Sequence, residues 1–268
     1  MRQQDSKGKM MIKFSNQNTK TKNLRKIESL AATYLGGKKK IYSFDLSSGF
    51  SCPGAKDCQS FAVVGEDGRA TIKDGPKTLF RCFSASQEVL FPAVRKMRTD
   101  NFNALRNCKT ISEMVDILTA ALPSNAGIVR LHVAGDMFSL CYLLAWMQVA
   151  KNHPKVLFYF YTKSLHYLKE VLGDCDDLAN GVIYPNLLVT ASFGGRHDHL
   201  IGELKIRATV VVYSENEAIE KGLVIDHDDS HAATIGGSFA LLIHGVQPKG
   251  SAASVALSTI KKGLKNAE

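Results

Sequence analysis

The chain has 268 residues, of which 45% are hydrophobic and 22% are charged, an ordinary balance for a globular protein of one large domain. The apolar stretch 140–147 is too short to span a bilayer, and no apolar secretory segment follows the basic N-terminus. These features argue against a membrane-spanning or secreted chain. They predict a cytoplasmic protein with no membrane partner, in which the six cysteines are thiols or metal ligands rather than disulfides.

The positive charge is concentrated at the N-terminus. The net charge is +9, and residues 1–40 alone hold 11 Lys or Arg side chains against two acids. We therefore predict a basic, partly flexible N-terminal arm over 1–40. The remainder, 41–268, is predicted to be a single α/β domain with a cysteine-containing loop at 47–84. The three lysines at 38–40 suggest contacts with nucleic-acid phosphates, although a solvated arm without a partner fits the charge equally well.

After the arm, short runs rich in β-branched and aromatic residues predict six strands. In chain order these are 41–46, 128–134, 156–161, 187–192, 209–213 and 239–244. Segments with helical spacing or start signals are 86–97, 112–121, 139–151, 164–172, 198–206, 214–221 and 251–264. Pro92 predicts a break in the first helix. Serines that directly follow strands predict N-caps at Ser139, Ser164, Ser214 and Ser251.

The alternation of strands and helices predicts a parallel sheet with right-handed crossovers. It can close as a partial (β/α)6 barrel or stay an open parallel sheet. One face of most strands is polar, as Arg130 and His132 show for the second strand. Polar side chains inside a parallel sheet are costly unless they line a space for a ligand. The pattern favours the partial barrel, while buried pairing, for instance of Arg130 with Asp136, is the alternative that needs no ligand.

Ligands of parallel α/β sheets bind at the C-terminal ends of the strands, where this sequence has glycines and polar side chains. His132 is a candidate general acid or base in the lumen. The residues 196–199 that follow Gly194-Gly195 predict an anion site if a helix begins there, although a solvent-facing turn fits them equally well. The acidic and histidine-containing run 226–231 resembles a divalent-cation site, although a solvated loop is the favoured interpretation. The candidate substrate-binding residues are Arg130, Tyr161, Arg196 and His244.

Three cysteines follow the first strand, at Cys52, Cys58 and Cys82. Their spacing is not that of a zinc ribbon, in which cysteines come in close pairs. Three thiolates at one strand end would suit an iron–sulfur cluster with one iron left open for a ligand, whereas small core residues are the alternative. The other three cysteines are predicted to be core residues: Cys108, Cys141 and Cys175.

Five phrases resemble the phage gene-product-eighty-eight family, a group of uncharacterised phage proteins. They are SCPGAKDC, DGPKTLFRCFSAS, RLHVAGDMFS, FYFYTKSL and SFGGRHD, and the similarity extends from about Phe44 to Asp198. Many members carry a compact cysteine cluster whose last cysteine is followed by Tyr-Ala. Here Cys82 is followed by Phe-Ser, after a long insertion that begins at Cys58. The resemblance implies a phage protein in the cytoplasm of the infected cell.

The layout is also similar to that of radical S-adenosylmethionine enzymes. These have a partial (β/α)6 barrel, three cysteines after strand one and a Gly-Gly-Glu-like phrase after strand two, where this chain has Ala134-Gly135-Asp136. The similarity implies an iron–sulfur cluster on the three cysteines. It further implies bound S-adenosylmethionine, whose reduction yields a radical that abstracts hydrogen from the substrate, while the protein supplies binding and orientation.

Roles for individual residues follow from this resemblance. It implies that Asp136 meets the amino group of S-adenosylmethionine, that Lys163 meets its carboxylate, and that Ser192 or Glu215 meets its ribose hydroxyls. The implied cofactor-binding residues are Gly135, Asp136, Lys163, Ser192 and Glu215. The candidate catalytic residues are His132, Asp136 and Lys163.

Three functions are compatible with these observations. The leading hypothesis is a radical S-adenosylmethionine-like enzyme with an unknown substrate, for which the basic arm alone suggests a nucleic acid or nucleotide. The second is a non-catalytic nucleic-acid-binding phage protein with structural zinc or no metal. The third is a divalent-metal-dependent hydrolase that uses His132, Asp136 and the run 226–231.

Overall fold

The computed structural model describes residues 12–173 and 176–266. Its strands are β1 (Ser15–Asn16), β2 (Lys40–Phe44), β3 (Ser60–Val64), β4 (Ala70–Asp74), β5 (Ala126–Leu131), β6 (Leu157–Thr162), β7 (Val182–Tyr184), β8 (Leu187–Ser192), β9 (Ala208–Val212) and β10 (Phe239–Leu242). Its α-helices are α1 (Glu28–Tyr34), α2 (Phe83–Leu90), α3 (Pro92–Arg106), α4 (Ile111–Ala121), α5 (Leu140–Asn152), α6 (Leu165–Leu172), α7 (His199–Glu203), α8 (Glu215–Glu220) and α9 (Ala252–Asn266). Short 3-10 helices lie at Thr21–Lys26 and Asp176–Asn180.

The main sheet is a mostly parallel, curled half-barrel. Its six parallel strands neighbour one another in chain order, β2-β5-β6-β8-β9-β10. This order results when every right-handed crossover places the next strand on the same side of the last one. Two short strands, β1 against β2 and β7 against β8, extend the sheet in the antiparallel sense. The six predicted strands are confirmed, and of the two predicted closures the structure shows the half-barrel.

The helices form where they were predicted, and three of the four serine caps are confirmed. The hydroxyls of Ser139, Ser214 and Ser251 each accept a hydrogen bond from an amide three residues further on. Ser164 directly precedes α6 but does not cap it. Its hydroxyl instead donates to the Asp136 carboxylate at 3.3 Å, so the prediction of a cap at this position was wrong.

Three stretches carry elements that the sequence did not predict, one of which is 176–184 with its 3-10 helix and β7. Pro92 divides the first predicted helix into α2 and α3, as expected, but the cysteine loop before it contains the antiparallel hairpin β3–β4. Residues 12–40 of the predicted arm form β1, a 3-10 helix and α1. Leu24 and Leu30 from this stretch are buried. Residues 1–11 lie outside the described part of the chain.

The two faces of the sheet have different covers. The outer face packs on helices, and Trp146 of α5 lies 5.5 Å from the Phe44 ring and 5.8 Å from the Phe158 ring. The inner face, at the N-terminal ends of the strands, is filled by an apolar cluster in which Leu24 packs with Ile41 and other strand residues. Because this plug closes one end of the half-barrel, open space is left at the C-terminal strand ends.

Cysteines outside the cysteine loop are placed differently from one another. Cys108 is half-buried against the core, as expected for a small apolar residue. Cys141 is exposed on α5, so its prediction as a core residue was wrong, because the buried face of that helix is formed by neighbours such as Tyr142 and Leu143. Cys175 lies outside the described residues.

None of the helices within 12–173 and 176–266 combines the length and the apolar character that crossing a bilayer requires.

Candidate functional site

A cavity of about 440 Å³ lies at the C-terminal ends of the parallel strands. Its wall includes Asp136 after β5, Lys163 after β6, Ser192 at the end of β8 and His244 after β10. Residues of the cysteine loop and the segment 18–20 also line it. The cavity therefore lies where parallel α/β sheets bind their ligands.

Three cysteines line this cavity, and we call Cys52, Cys58 and Cys82 the thiol cluster. Burial raises the pKa of Cys52 well above its ordinary value, and the nearby charges of Asp136 and the other two cysteines add to the shift. Burial also raises the pKa of Cys58 to about 11, although the positive charge of Lys163 opposes the shift. These two thiols are therefore protonated and uncharged at neutral pH.

The long insertion between Cys58 and Cys82 is folded back on itself. Its hairpin is closed at the base, where the carbonyl of Asp57 accepts hydrogen bonds from the amides of Leu79 and Phe80 at 2.8 and 3.2 Å. The amide of Cys82 donates to the Ser60 hydroxyl at 3.3 Å. The insertion therefore leaves Cys82 beside the segment that carries Cys58, instead of moving it away from the cavity.

Close backbone contacts hold the cysteine loop on the sheet. The Gly54 carbonyl accepts the amide of Arg196 at 2.8 Å, and the Asp57 amide donates to the Gly194 carbonyl at 2.9 Å. A Cβ atom at Gly54 would lie 2.2 Å from the Lys163 carbonyl oxygen. Only glycine allows the loop to approach β6 this closely.

Gly135, for which the resemblance implied a role in cofactor binding, lines the cavity. Its backbone is left-handed, with φ of 96°. A Cβ atom there would lie 2.7 Å from the Leu46 Cβ and from the Ser51 Oγ. A glycine is therefore needed where the chain after β5 passes the start of the cysteine loop.

The Asp136 carboxylate is fully occupied by neighbouring groups. Its oxygens accept from the Met137 amide at 2.7 Å, the Thr162 hydroxyl at 2.6 Å, the Lys163 amide at 2.9 Å and the Ser164 hydroxyl at 3.3 Å. Burial raises the pKa of Asp136, although these hydrogen bonds oppose the shift. With about four acceptor positions on a carboxylate, its bonds fix the ends of β5 and β6 to each other.

Lys163 presents a buried ammonium group without a bound carboxylate. Its Nζ donates to the Ser192 hydroxyl, to the Ser192 carbonyl at 3.4 Å and to the Phe193 carbonyl at 2.7 Å. Within the described part of the chain it forms no salt bridge, and the residue is 8% exposed. A buried cation with neutral oxygen partners favours an anionic group beside it.

A second group of polar residues lies on the strands themselves. We call Arg130, Tyr159, Tyr161 and Asp229 the arginine cluster. The Arg130 guanidinium pairs with Asp229 and lies 5.3 Å from the Tyr161 ring centre, and the Tyr159 hydroxyl donates to Asp229 at 3.0 Å. Burial is the largest single influence and lowers the pKa of Arg130, but Asp229, Tyr159, Tyr161 and Asp45 together outweigh it, so the pKa is raised. Arg130 therefore takes part in the buried pairing that was the alternative to a ligand site, but its partner is Asp229 and not Asp136.

The two histidines on the cavity wall are neutral at physiological pH. His132 has a left-handed backbone with φ of 68°, and its Nε2 lies 3.0 Å from the Tyr142 hydroxyl of α5. Burial and the charge of Arg130 lower the pKa of His132 to about 3. Burial, Lys20 and Arg130 lower the pKa of His244 to about 4. Neither imidazole therefore carries a proton to donate as an acid near pH 7.

Two predicted ligand-binding residues do not line the cavity. Glu215 is exposed in the first turn of α8, and Arg196 is exposed after the turn that follows β8. The predicted anion site at this turn is also wrong. The Asp198 carboxylate already accepts the amides of Gly194 and Gly195 at 2.9 and 2.8 Å, so these donors are not available to a ligand.

The acidic run 226–231 is not a solvated loop. Asp226 and Asp229 are each 2% exposed, because Asp226 accepts the backbone amides of Asp228 and Ala232 while Asp229 pairs with Arg130. Over residues 12–173 and 176–266, no three His, Cys, Asp or Glu side chains are placed to hold a metal ion.

Some cavity residues had no usable signal in the sequence. Lys20 belongs to the basic arm, and Phe83 follows the last cysteine, yet both line the cavity. Neither lies at the end of a predicted strand, which was the criterion for a site residue. The sequence drew attention to Asp229 only as part of the acidic run 226–231. That run gave no indication that Asp229 pairs with Arg130.

No curated protein and no solved structure matches the chain. The model of the family described as Gene product 88 matches residues 10–262, which is nearly the whole chain and includes every residue of the cavity wall. The chain therefore belongs to the Gene product 88 family of phage proteins.

Proposed function

We propose that this phage protein is an iron–sulfur enzyme that uses S-adenosylmethionine, with the thiol cluster as the cluster-binding site. The observation that carries the proposal is the position of the three thiols. They line one cavity at the C-terminal ends of a (β/α)6 half-barrel, although a hairpin separates the third from the first two. The three thiols meet because the base of the hairpin is closed. With an open base, the insertion would move Cys82 away from Cys52 and Cys58.

The donor chemistry fits such a cofactor. Sulfur ligands suit iron–sulfur clusters and zinc, and the three thiols act on each other electrostatically. Binding requires the thiols to lose protons and their side chains to move together from the positions described above. When bound, an iron–sulfur cluster supplies the one-electron reduction of S-adenosylmethionine.

The residues around the thiol cluster would bind and orient the cofactor. Lys163 offers an ammonium group for a carboxylate, and Ser192 is the predicted ribose partner that lines the cavity. Asp136 has a different role from the one the resemblance implied. Because its carboxylate already accepts four hydrogen bonds, we assign it as a positioning residue that holds Lys163 at the end of β6.

The test is anaerobic purification followed by an absorption spectrum and iron, sulfide and zinc analysis. We expect a brown protein with several irons and sulfides per chain, and loss of both in a Cys52→Ala/Cys58→Ala/Cys82→Ala variant. Cys141→Ala is the matched control, because this thiol is exposed on α5 away from the cavity and its loss should leave iron unchanged.

Metal content also separates the competing functions. A colourless wild-type protein that holds one tight zinc per chain would replace the enzyme proposal with a structural-zinc protein. A readily exchanged divalent ion that survives the triple cysteine change would favour the hydrolase.

A further inference from the structure

Two halves of the cavity wall are defined by the residues that act on one another electrostatically, and they meet at the consecutive residues Cys82 and Phe83. In one half, the thiols interact with one another and with Asp136 and Lys163. In the other half, Lys20, Arg130 and Asp229 all act on His244. The cofactor proposed above uses the first half, so the second half needs its own explanation.

Polar atoms in and below the second half have no hydrogen-bond partner among the described residues. They are the Nε of Arg130, the hydroxyl of Tyr161 and the Oγ1 of Thr209. Thr209 is 1% exposed and lies two residues before Val211, which lines the cavity, so both side chains are on the inner face of β9. Leaving a buried polar group without a partner costs about 1–3 kcal/mol. Arg130 and Tyr161 line the cavity, so their groups lie next to the space for a ligand, whereas Thr209 lies beneath the wall.

The charge of this half favours an anion. Arg130 and Asp229 balance each other, and His244 is neutral near pH 7. Lys20 lines the cavity and has no salt bridge within the part of the chain that the structure describes. The positive charge of Lys20 is therefore not compensated, and a wall with an uncompensated cation and free hydroxyl donors suits a negatively charged group.

The rest of the wall is apolar. Leu241 and Ile243 of the last strand and its extension line the cavity, as does Phe83. The Phe83 ring lies 5.0 Å from the His244 ring at the edge of the space. Such a wall would bury an aromatic or aliphatic body and contact it through dispersion and ring stacking.

We propose that the second half of the cavity binds a small organic anion, whose charged group meets Lys20 and whose aromatic or apolar body packs against Phe83 and the β10 side chains. Its assignment as the substrate rests on the proposed function, whereas the binding itself does not. Arg130 and Tyr161 were predicted to contact substrate, and the anionic class and the participation of Lys20 are the additions.

The experiment is calorimetric titration of protein purified without added iron. The probes are two anions with aromatic bodies, adenosine monophosphate and benzoate, and their uncharged counterparts, adenosine and benzyl alcohol. We expect at least one anion to bind about tenfold more tightly than its counterpart. Binding by the phosphate alone or by the carboxylate alone identifies which anionic group the site accepts. The proposal is wrong if neither anion binds, or if the uncharged compounds bind equally well.

Variants test the residues. Lys20→Ala should weaken binding of the anion about tenfold and leave the uncharged compound unaffected. Its control, Lys22→Ala, removes a neighbouring exposed lysine that does not line the cavity and should change nothing. Equal effects of Lys20→Ala and Lys22→Ala would overturn the assignment.

The same titration separates this proposal from the cofactor. The Cys52→Ala/Cys58→Ala variant should bind the anion with unchanged affinity, because these two thiols belong to the other half, whereas Cys82 directly precedes Phe83. Anion binding by a protein that never contains iron would keep this inference and remove the iron–sulfur proposal. A protein that contains iron and sulfide but binds no anion would keep the iron–sulfur proposal and remove this inference.

Discussion

The thiol cluster and the arginine cluster face one cavity but are built from different parts of the chain. Arg130 and Tyr161 are strand residues, and their positions follow from the register of β5 and β6. The thiols lie on loop segments outside the main sheet, which are held by backbone contacts such as the one between Gly54 and Lys163. The position of a strand side chain is fixed by the sheet, whereas the position of each thiol is fixed by the loop that carries it.

The two clusters also differ in charge. The arginine cluster contains an ion pair that is satisfied without a ligand. The Cys52 and Cys58 thiols of the other cluster are neutral because burial raises their pKa values. A buried ion pair is costly to break, because removal of one partner leaves the other charge buried and uncompensated. Neutral thiols contribute little to stability, and their chemistry begins when a metal or a base removes the proton.

The largest expected difference between the clusters is in stability. Asp229→Asn leaves the Arg130 charge buried without its counter-ion and should lower the free energy of unfolding by about 3 kcal/mol. Asparagine also tolerates the left-handed backbone at this position, where φ is 66°. The measurement is the urea midpoint.

Asp100→Asn is the control for that change, because Asp100 pairs with Lys96 on the exposed side of α3. Its loss should cost less than about 1 kcal/mol. Similar losses for the two variants would show that the arginine cluster does not stabilise the fold.

A smaller effect is expected when the cysteine loop is displaced from the sheet. The added Cβ in Gly54→Ala would collide with the Lys163 carbonyl and should lower stability by about 1–3 kcal/mol. The same change should reduce the iron content of anaerobically purified protein, because the loop carries Cys52 and Cys58.

Gly202→Ala provides the comparison, because nothing lies within 4 Å of a Cβ at that position in α7. It should be neutral or stabilising by up to about 1 kcal/mol. A Gly54→Ala protein with wild-type stability and iron would contradict the close approach of the loop.

The smallest expected effect is on the rate at which the Cys58 thiol is chemically modified. Because the pKa of Cys58 is raised to about 11, the thiolate fraction is small at pH 8 and should grow about tenfold per pH unit up to pH 10. The rate of iodoacetamide labelling at Cys58, followed by peptide mass spectrometry, should rise in the same way. In urea the thiol ionises near pH 8.5, so its labelling rate should level off by about pH 9.5. A plateau below pH 9 in the native protein would refute the shift.

Some of the architecture could be predicted because it depends on local pattern. Runs of branched and aromatic residues predicted all six parallel strands, and Ser139 and Ser214 marked the starts of two helices. The same reasoning failed at Ser164, because a serine that precedes a helix can equally donate to a buried carboxylate. Strand alternation predicted that Arg130 and Tyr161 face the lumen, and the cavity lies on that face.

The strand–helix order and the end of the sheet at which polar residues gather could be read from the sequence, and the polar strand faces favoured the half-barrel. These depend on periodicity and on the handedness of crossovers, which act over short stretches of chain. Three contacts are visible only in the folded chain: Asp229 pairs with Arg130, Lys20 reaches the cavity, and a closed hairpin returns Cys82 to Cys58. Such contacts join residues far apart in the chain, so no local pattern encodes them.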